Sequence, residues 1–252
     1  MSIAALYDIH GNLPALDAVL EEIEGLGVER IVIGGDVAYG ALVRETLDRL
    51  MDLGDRALWI RGNGERELVA FYDGEAATAS LSEDTKRAGV WEAQRLTRAH
   101  RDFLAALPEH QTLPVEGLGE VLFCHGSPRS DEEILTSATS EERMLRVLAG
   151  VTQATVLCGH THVQFDRQIG SIRVVNAGSV GMSYDGPGAW WALLGPTVEL
   201  RQTPYDRDRA AAMFRASGHP LTENFVKELM NPHTAEEVTA YFEAVALQKD
   251  EH

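Results

Sequence analysis

Side chains of the types that bind metal ions lie in five glycine-containing turns, each of which follows a short apolar segment. The turns carry seven candidate ligands: Asp8, His10, Asp36, Asn63, His125, His160 and His162. In an open α/β sheet, ligands bind just beyond the carboxyl ends of the strands, so we expect these side chains to face one crevice. Each motif alone is weak evidence, because an Asp or His at a strand end is often structural. Together they are hard to explain as core or capping residues, and they predict a metal site.

The number and type of these ligands restrict the metal. Seven ligands are too many for one tetrahedral zinc, and the set is too rich in nitrogen for calcium. It suits two transition-metal ions about 3.5–4 Å apart with a carboxylate between them. Imidazole and carboxylate ligands favour Mn, Fe, Zn, Co or Ni, and affinity alone does not choose among them. We therefore expect two divalent ions whose identity the sequence leaves open.

The apolar pattern predicts the elements that position the first ligands. Asn12 is a good N-cap for a helix with Pro14 in its first turn, and Gly27 ends that helix. Its core-facing residues are predicted to be Leu16, Val19, Leu20, Ile23 and Leu26. A second helix is predicted over residues 42–53, and strands over residues 3–6, 31–33 and 57–60. Strands and helices that alternate in this way indicate parallel strands buried by helices.

The rest of the chain is predicted to contain more strands than helices. Residues 82–107 are expected to form one or two helices, with Val90, Leu96, Phe103 and Leu104 facing inward. Strands over residues 111–115 and 121–124 are expected to pair around Gly117. A helix with a capping box at Thr139 and Glu142 precedes a strand over residues 154–157. Four further strands are expected to form an antiparallel meander: 163–169, 172–176, 189–194 and 198–203.

A helical tail is predicted from Asp206 onward, with a capping box at Thr234 and Glu237. We expect its apolar residues to pack against the chain's own core, a subunit contact being the alternative: Phe214, Leu221, Phe225, Leu229 and Phe242.

Composition limits the partners that we expect. The 252 residues carry a formal net charge of −17, which argues against a broad nucleic-acid or anionic membrane surface because both require a positive patch. No apolar run approaches the roughly 18 residues of a membrane-spanning helix, and the first residues lack the pattern of a signal peptide. We therefore expect a cytoplasmic protein with no membrane partner. Its oligomeric state is left open.

The remaining titratable sulfur and imidazole groups are interpreted as structural. Cys124 and Cys158 end apolar runs and are predicted to be buried thiols, since two cysteines do not make a disulfide framework in a chain of this length. The other histidines are predicted to be solvated surface groups: His100, His110, His219, His233 and His252.

Taken together, the five turns resemble the signature of the calcineurin-like metallophosphoesterase superfamily. That signature reads D-x-H, G-D, G-N-H-[DE], a lone His and G-H-x-H. All five blocks occur in order, as Asp8-x-His10, Gly35-Asp36, Gly62-Asn63, His125 and Gly159-His160-x-His162. Residues 8–13, 35–40, 125–128 and 176–181 also resemble the small prokaryotic phosphodiesterase-like branch.

The resemblance implies an α/β fold, a four-layer αββα sandwich of two mixed β-sheets flanked by helices. It implies a metallophosphoesterase domain over residues 1–205 and a helical C-terminal extension over residues 206–252 packed on the same domain.

The resemblance also assigns the ligands: Asp8, His10 and His162 to the first ion, Asn63, His125 and His160 to the second, and Asp36 as the bridge. Asp36 and Asn63 would thereby take part in catalysis. Asn12 and Arg129 lie in turns beside ligands and are predicted to touch substrate oxygens, with a helix cap and a surface charge as the alternatives.

One position departs from the family pattern. Gly64 stands where the family has the His that stabilises the transition state or protonates the leaving oxygen. General acid catalysis contributes typically about 10²–10⁴-fold, so we expect weakened turnover with intact metal binding. Glu65, Arg66 and Arg61 are candidates to substitute in part, although none is at the matching position.

The predicted function is hydrolysis of a small phosphate ester, more specifically a phosphodiester, by attack of a metal-bridging hydroxide. Two alternatives remain: a phosphomonoesterase, and a metal-binding but weakly active or non-catalytic protein with a binding or regulatory role. Gly64 favours the second alternative, and the full ligand set disfavours it. A dinucleotide-dependent oxidoreductase would fit the opening topology, but no G-x-G-x-x-G follows the first strand.

Overall fold

The computed structural model describes residues 2–75 and 81–250, whose strands form two sheets of five strands each. The first sheet has the spatial order β10 (Val198–Thr203), β9 (Ala189–Leu194), β1 (Ile3–Leu6), β2 (Arg30–Ile33) and β3 (Ala57–Trp59). The second has the order β4 (His110–Val115), β5 (Gly119–Cys124), β6 (Thr155–Cys158), β8 (Ile172–Asn176) and β7 (Phe165–Ile169).

The described residues also form α-helices that cover the sheets and make up the C-terminal part. Their bounds are α1 (Leu13–Leu26), α2 (Val43–Met51), α3 (Asn63–Asp73), α4 (Glu83–Ala93), α5 (Arg98–Ala105), α6 (Glu141–Val147), α7 (Arg207–Ser217), α8 (Thr222–Met230) and α9 (Ala235–Asp250). Within the same described ranges, no helix is long and apolar enough to cross a membrane.

The sheets pack face to face because successive strand residues point to opposite sides. In β1, Ile3 and Ala5 belong to the core between the sheets, together with Phe123 of β5. Leu6 instead packs against α1, in the core that contains Leu16. On the outer face of the second sheet, residues of β5 and β6 pack against α6. The predicted αββα sandwich of two mixed sheets is therefore confirmed.

Strand direction brings the candidate ligands to one edge of the fold. β1, β2 and β3 run parallel, as do β5, β6 and β8. Because parallel strands end at the same edge, the turns after β1, β2 and β3 are neighbours, and so are those after β5 and β6.

The predicted meander is wrong at one connection, because β7–β8 and β9–β10 are antiparallel pairs as expected but β8 and β9 lie in different sheets. β7 pairs with β8 in the second sheet, whereas β9 pairs with β10 and with β1 in the first sheet. The chain therefore crosses between the sheets after β8. The apolar alternation of these strands could not reveal the crossing, because a strand with one apolar face can pack in either sheet.

Helix α1 follows the sequence prediction except at its last turn. Asn12 Oδ1 accepts the Ala15 N–H at 3.2 Å, and Gly27 ends the helix with φ +65°. Leu16, Val19, Leu20 and Ile23 are buried as expected. Leu26 is 45% exposed and does not belong to the core stripe.

Two helices, α4 and α5, occupy the region predicted as one helix or two. Thr97 caps α5 by accepting the His100 N–H at 3.2 Å. Leu96 and Leu104 are buried, but Val90 is 45% exposed, so its predicted inward orientation is wrong.

The predicted cap of α6 is one residue out of place. Ser140 accepts the Arg143 N–H at 3.2 Å and is the N-cap. Thr139 Oγ1 instead accepts the Thr136 N–H at 2.9 Å and bonds to Glu243 of α9. This long-range partner competes with the local cap, which sequence spacing alone could not show.

Two histidines predicted to be solvated are buried. His100 bonds to Asp48 at 2.9 Å and His219 to Glu92 at 3.1 Å, so each imidazole has a carboxylate partner from a distant helix. His110 and His233 are exposed as predicted, and His252 lies outside the described residues. Cys124 and Cys158 are buried free thiols, which confirms their interpretation.

The C-terminal helices contact the part of the chain that carries the ligands. Phe214, Leu221 and Phe225 pack in one apolar cluster with Leu42 and Ala88. The capping box at the start of α9 is confirmed, with the Thr234 N–H donating to Glu237 Oε2 at 2.9 Å and the Glu237 N–H to Thr234 Oγ1 at 3.3 Å.

Candidate metal centre

Backbone hydrogen bonds join the turns that follow β1 and β2. The Asp8 N–H donates to the Gly35 carbonyl at 3.1 Å, and the His10 N–H to the Asp36 carbonyl at 2.9 Å. Gly35 in addition permits close packing against the turn after β3, since its φ is +93° and a Cβ there would lie 2.6 Å from the Gly62 nitrogen. The two turns therefore hold three candidate ligands, Asp8, His10 and Asp36, in fixed relative positions.

Five of the seven candidate ligands have a left-handed backbone, which is uncommon outside glycine. Their φ angles lie between +47° and +68°: Asp8, His10, Asp36, His160 and His162. Each such residue costs on the order of 1–3 kcal/mol and persists only where the surroundings enforce it. The concentration of this strain at ligand positions indicates that the turns are shaped to orient these side chains.

Asp8, His10 and His162 form the first ligand cluster. One ligand atom from each lies within 4.8 Å of the others. His162 Nε2 lies 3.0 Å from His10 Nε2 and 3.3 Å from Asp8 Oδ1. All three residues are buried, so these polar atoms face one another and not bulk water.

Asp36, His125 and His160 form the second ligand cluster, again with one ligand atom from each within 4.8 Å of the others. Asp36 Oδ1 lies 3.5 Å from His125 Nε2. The His125 and His160 rings are 5.2 Å apart between centroids. Asp8 Oδ1 lies 3.8 Å from His125 Nε2, so the two clusters are contiguous.

Backbone carbonyls orient three of the four imidazoles. Nδ1 contacts the Ala38 carbonyl at 3.1 Å in His10, the Gly34 carbonyl at 2.9 Å in His125 and the Met182 carbonyl at 2.8 Å in His162. A carbonyl only accepts, so Nδ1 carries a proton and Nε2 is the nitrogen available to an ion. This is the arrangement that metal-binding histidines usually have.

Three buried polar atoms of predicted ligands have no hydrogen-bond partner among the described residues: Asp8 Oδ1, Asn63 Oδ1 and His125 Nε2. A buried polar atom left unpaired costs about 1–3 kcal/mol, so three such atoms on predicted ligands require an explanation. Coordination to divalent ions would satisfy all three. The imidazole, carboxylate and amide donors present here fit such ions.

The electrostatics of the two carboxylates favour the ionised form. Burial opposes ionisation of Asp8, but the imidazoles of His162 and His125 outweigh it and hold its pKa below the usual value. Burial likewise opposes ionisation of Asp36, and His125 and His10 outweigh it, so the pKa of Asp36 is well below its usual range. Both side chains are therefore anionic at neutral pH.

The pKa values of the candidate ligand imidazoles differ from one another. Burial and repulsion by His125 lower the pKa of His160 to about 4. Burial also opposes protonation of His125, but the charges of Asp36 and Asp8 prevail and raise its pKa to about 10. In the absence of metal, a proton on His125 therefore partly neutralises the buried carboxylates.

Asn63 and Gly64 open helix α3 directly after the turn that follows β3. The Gly64 N–H donates to Asp36 Oδ1 at 2.7 Å. A Cβ on residue 64 would lie 2.9 Å from that same oxygen, so a side chain there requires Asp36 to move slightly. Glycine thus allows a close contact between the start of α3 and the predicted bridging carboxylate.

Glu65, at the Asp or Glu position of the family signature, has a positioning role that the sequence analysis did not predict. Its buried carboxylate accepts the backbone N–H groups of Asp36 (2.8 Å), Val37 (2.8 Å), Ala38 (3.0 Å) and Gly62 (2.8 Å). A Glu at the third position of a helix is a known capping signal. That signal could have predicted the bond to Gly62 but not those to the turn after β2.

The three predicted substitutes for the missing family His are all engaged elsewhere. Glu65 is held by the four N–H groups, Arg61 pairs with Glu109 at 2.7 Å, and Arg66 pairs with Asp131 at 3.1 Å. Their contacts do not support the expectation that one of them acts as the acid.

Residues at the end of β8 and just after it also support the turns. Ser179 Oγ donates to the Asp8 carbonyl at 2.7 Å. Asn176 Nδ2 donates to the Gly159 carbonyl at 2.7 Å and to Thr161 Oγ1 at 3.0 Å. This segment therefore ties the ligand turn of one sheet to that of the other.

A buried pair of Glu92 and His219 supports the turn around His10. The Glu92 carboxylate accepts the N–H groups of Tyr39 and Gly40, each at 3.0 Å, and bonds to His219 Nε2 at 3.1 Å. The Tyr39 carbonyl in turn lies 3.2 Å from His10 Nδ1. The C-terminal part of the chain is thereby linked to a candidate ligand through two residues.

The structure assigns local partners to both predicted substrate contacts. Asn12 caps α1, and its Nδ2 donates to the Gly181 carbonyl at 2.9 Å and to Tyr205 Oη at 3.1 Å, which favours the helix cap. The Arg129 guanidinium pairs with Glu133, with Nε at 3.1 Å from Oε2.

Comparison with known proteins establishes the family. Residues 1–195 match the calcineurin-like phosphoesterase superfamily domain. The chain belongs to this family, and the family predicted from the motifs is confirmed. Membership supports phosphoester hydrolysis with divalent metal ions as the general chemistry.

One curated relative is the uncharacterized protein MJ0912 of Methanocaldococcus jannaschii. It is 31% identical over 136 residues, which are 52% of this chain and 51% of that protein, so the match spans about half the length of the relative.

Solved structures share the fold. The hypothetical protein PH1004 from Pyrococcus horikoshii OT3 has a TM-score of 0.79 at 21% identity, over 93% of this chain and 99% of that chain. A metallophosphoesterase from Sphaerobacter thermophilus has a TM-score of 0.71 at 24% identity, over 92% and 100%. A novel archaeal phosphodiesterase has a TM-score of 0.50 at 14% identity, over 80% and 99%.

Replacement of Glu65 by Gln tests its role in holding the turns. A Gln amide has one acceptor oxygen, and its NH2 group would face N–H donors. We expect metal affinity to fall about 10- to 100-fold, as for other residues that orient ligands, measured by calorimetric titration with Mn²⁺. Glu141→Gln, at an exposed position of α6, is the control and should bind as the wild type does. Equal affinity of both variants would contradict the role.

The raised pKa of His125, about 10, predicts how metal affinity depends on pH. A metal ligand must be unprotonated, so the His125 proton leaves on binding. Below pH 10, affinity should rise with pH, by about tenfold per unit for one proton. His160, with a pKa of about 4, is already neutral near neutral pH and releases no proton when the metal binds.

Calorimetry at pH 8 in two buffers of different ionisation enthalpy measures this proton. The wild type should release about one proton more per protein than His125→Gln does. Identical proton release by the two proteins would contradict the prediction.

Proposed function

We propose that this protein is a phosphodiesterase with a dinuclear metal centre, in which Asp36 bridges two divalent ions. The observation that carries the proposal is the meeting of two ligand clusters, each with a carboxylate and two imidazoles, in which Asp8 Oδ1 and His125 Nε2 are buried and unpaired. The 3.8 Å separation of Asp8 Oδ1 and His125 Nε2 supports two neighbouring ions over two independent sites. The ligand set favours Mn, Fe, Zn, Co or Ni.

Charge balance explains how an acidic protein would bind a phosphate ester. Divalent ions, when bound, supply positive charge and lower the pKa of coordinated water. The chain contributes two anionic side chains, Asp8 and Asp36, while its four imidazoles are neutral as ligands. Four positive charges against two negative ones leave the centre attractive to phosphoryl oxygens, even though the whole chain carries −17.

The chain's own residues fix the positions of the reacting groups. The carbonyls that accept from His10, His125 and His162 keep each Nε2 directed inward. Glu65 and the Gly64 N–H hold the backbone and carboxylate of Asp36. Such preorganisation lowers the cost of orienting substrate, which in favourable cases contributes several kcal/mol to catalysis.

Gly64 favours a phosphodiester whose leaving group is more acidic than a simple alcohol. Without the family His, and with Glu65, Arg61 and Arg66 engaged elsewhere, none of these three residues is available to protonate the leaving oxygen. A substrate whose leaving group is stable as an anion needs that proton least. The fold shared with an archaeal phosphodiesterase is consistent with this preference.

A second candidate is a metal-binding protein with little or no turnover, which the same Gly64 favours. A small phosphate ester or its product would then be a ligand and not a substrate. A phosphomonoesterase remains the third possibility and is an outcome of the assay below.

Activity with chromogenic esters tests the proposal. With Mn²⁺, we expect hydrolysis of bis(p-nitrophenyl) phosphate to exceed that of p-nitrophenyl phosphate, and EDTA should abolish hydrolysis of both.

The Asp36→Asn variant tests the bridging carboxylate in the same assay. It keeps an oxygen for the Gly64 N–H but removes the charge, and should lower kcat at least about 100-fold. Asp17→Asn, at an exposed position of α1, should be unaffected. Preference for the monoester would reject the diesterase, and metal uptake without turnover would favour the binding protein.

A pair of substitutions at Gly64 tests the missing acid. Gly64→Ala introduces the Cβ that approaches Asp36 Oδ1 and measures the cost of that contact alone. Relative to Gly64→Ala, we expect Gly64→His to raise kcat by up to about 10²-fold with an alkyl leaving group, because a proton donor is restored. With p-nitrophenolate as the leaving group, the gain should be smaller. Equal rates of the two variants on both esters would show that no acid is lacking.

A further inference from the structure

A cavity lies against the candidate metal centre on the side of helix α9. Its volume is about 310 Å³, and six residues line it: Tyr184, His233, Glu237, Val238, Tyr241 and Phe242. Small-molecule pockets generally measure about 300–1,000 Å³. This cavity therefore suits one small ring system and not a polymer. We call it the ring pocket.

The ring pocket shares two of its walls with the metal centre. The Tyr184 ring stacks on the imidazole of His162, with 5.7 Å between centroids and 17° between planes. The Phe242 ring lies 6.2 Å from the His160 ring. His162 and His160 belong to different ligand clusters, so the lining of the pocket lies beside both clusters.

The lining of the pocket favours a neutral planar group. Tyr241 is 66% exposed on α9, and its ring centroid lies 5.7 Å from that of Phe242. Aromatic side chains placed in this way offer flat faces for stacking.

Charge excludes phosphate as the occupant. The six lining residues include no Lys or Arg, and Glu237 brings a carboxylate. Glu228, 3.9 Å from His233, adds a second one nearby. An anion would find a carboxylate and no Lys or Arg in this lining, whereas the adjacent metal centre would provide positive charge. The two neighbouring sites thus suit the two chemically different parts of one ester.

We propose that the ring pocket binds a planar aromatic substituent of the substrate, such as a nucleobase, while the phosphoryl group lies at the metal centre. The inference rests on the proposed function, because it names the substrate class of that same site. The substrates are phosphodiesters in which one ester group carries an aromatic ring, and Tyr241 and Phe242 determine this specificity by stacking.

Binding of thymidine, which has no phosphate, tests the pocket without turnover. Calorimetry or ligand-observed NMR on EDTA-treated protein should detect saturable binding. Tyr241→Ala should weaken it about fivefold to a hundredfold, the range expected for loss of one stacking contact. Tyr241→Phe keeps the ring and should restore binding. Leu247→Ala, on the same helix and 62% exposed but outside the pocket, should bind as the wild type does.

Kinetics with Mn²⁺ provide the second measurement. The p-nitrophenyl ester of thymidine 5′-phosphate and methyl p-nitrophenyl phosphate release the same leaving group and differ only in the other substituent. We expect a lower KM for the thymidine ester. Tyr241→Ala should raise that KM more than the KM for the methyl ester, because the ring contributes binding present in both ground and transition states.

The outcomes separate this inference from the proposed function. Thymidine binding that Tyr241→Ala weakens, without turnover of any ester, would support the pocket and reject the phosphodiesterase. Turnover with equal KM for both esters and no thymidine binding would overturn the pocket alone. Equal weakening by Tyr241→Ala and Leu247→Ala would also overturn it. So would a concentration-dependent dimer that Tyr241→Ala abolishes in the absence of thymidine binding, since the exposed ring would then be a self-association contact.

Discussion

The left-handed backbone at five ligand positions is the constraint on which the rest of this site depends. Each of these residues is strained by about 1–3 kcal/mol, and hydrogen bonds between turns offset that strain. The turns after β1 and β2 bond to each other, and Glu65 accepts three backbone N–H groups of the turn after β2 and one of the turn after β3. Because the strain is held by contacts from several elements, the ligand side chains are oriented by the fold itself and not by the ion alone.

Burial of charge is the second organising factor. Asp8 and Asp36 are buried among four imidazoles, with several polar atoms left unpaired. Glu65 lies close enough to Asp36 that burial and this neighbouring charge raise its own pKa, although the backbone N–H groups oppose the rise. Such an arrangement is costly in a metal-free protein. Divalent ions would relieve the cost, so stability and metal binding are coupled in this architecture.

The C-terminal helices contribute residues that support and adjoin the candidate metal centre. The segment between α7 and α8 brings His219 to Glu92, which supports the turn that orients His10. Helix α9 brings Phe242 beside His160 and, with Tyr184, forms the ring pocket. Residues far apart in the chain thus support the candidate ligands on one side and shape the adjoining space on the other.

The sequence by itself determined the ligand types, the family and the layered α/β architecture. Asp8, His160 and the other candidates follow apolar strand cores, and both features are local in the chain. Only the tertiary structure decided that β9 joins β1, that His219 is buried, that Val90 is exposed and that Glu65 holds the turn after β2. Those outcomes depend on which distant surfaces meet, because burial and long-range hydrogen bonds are properties of packed elements and not of local spacing.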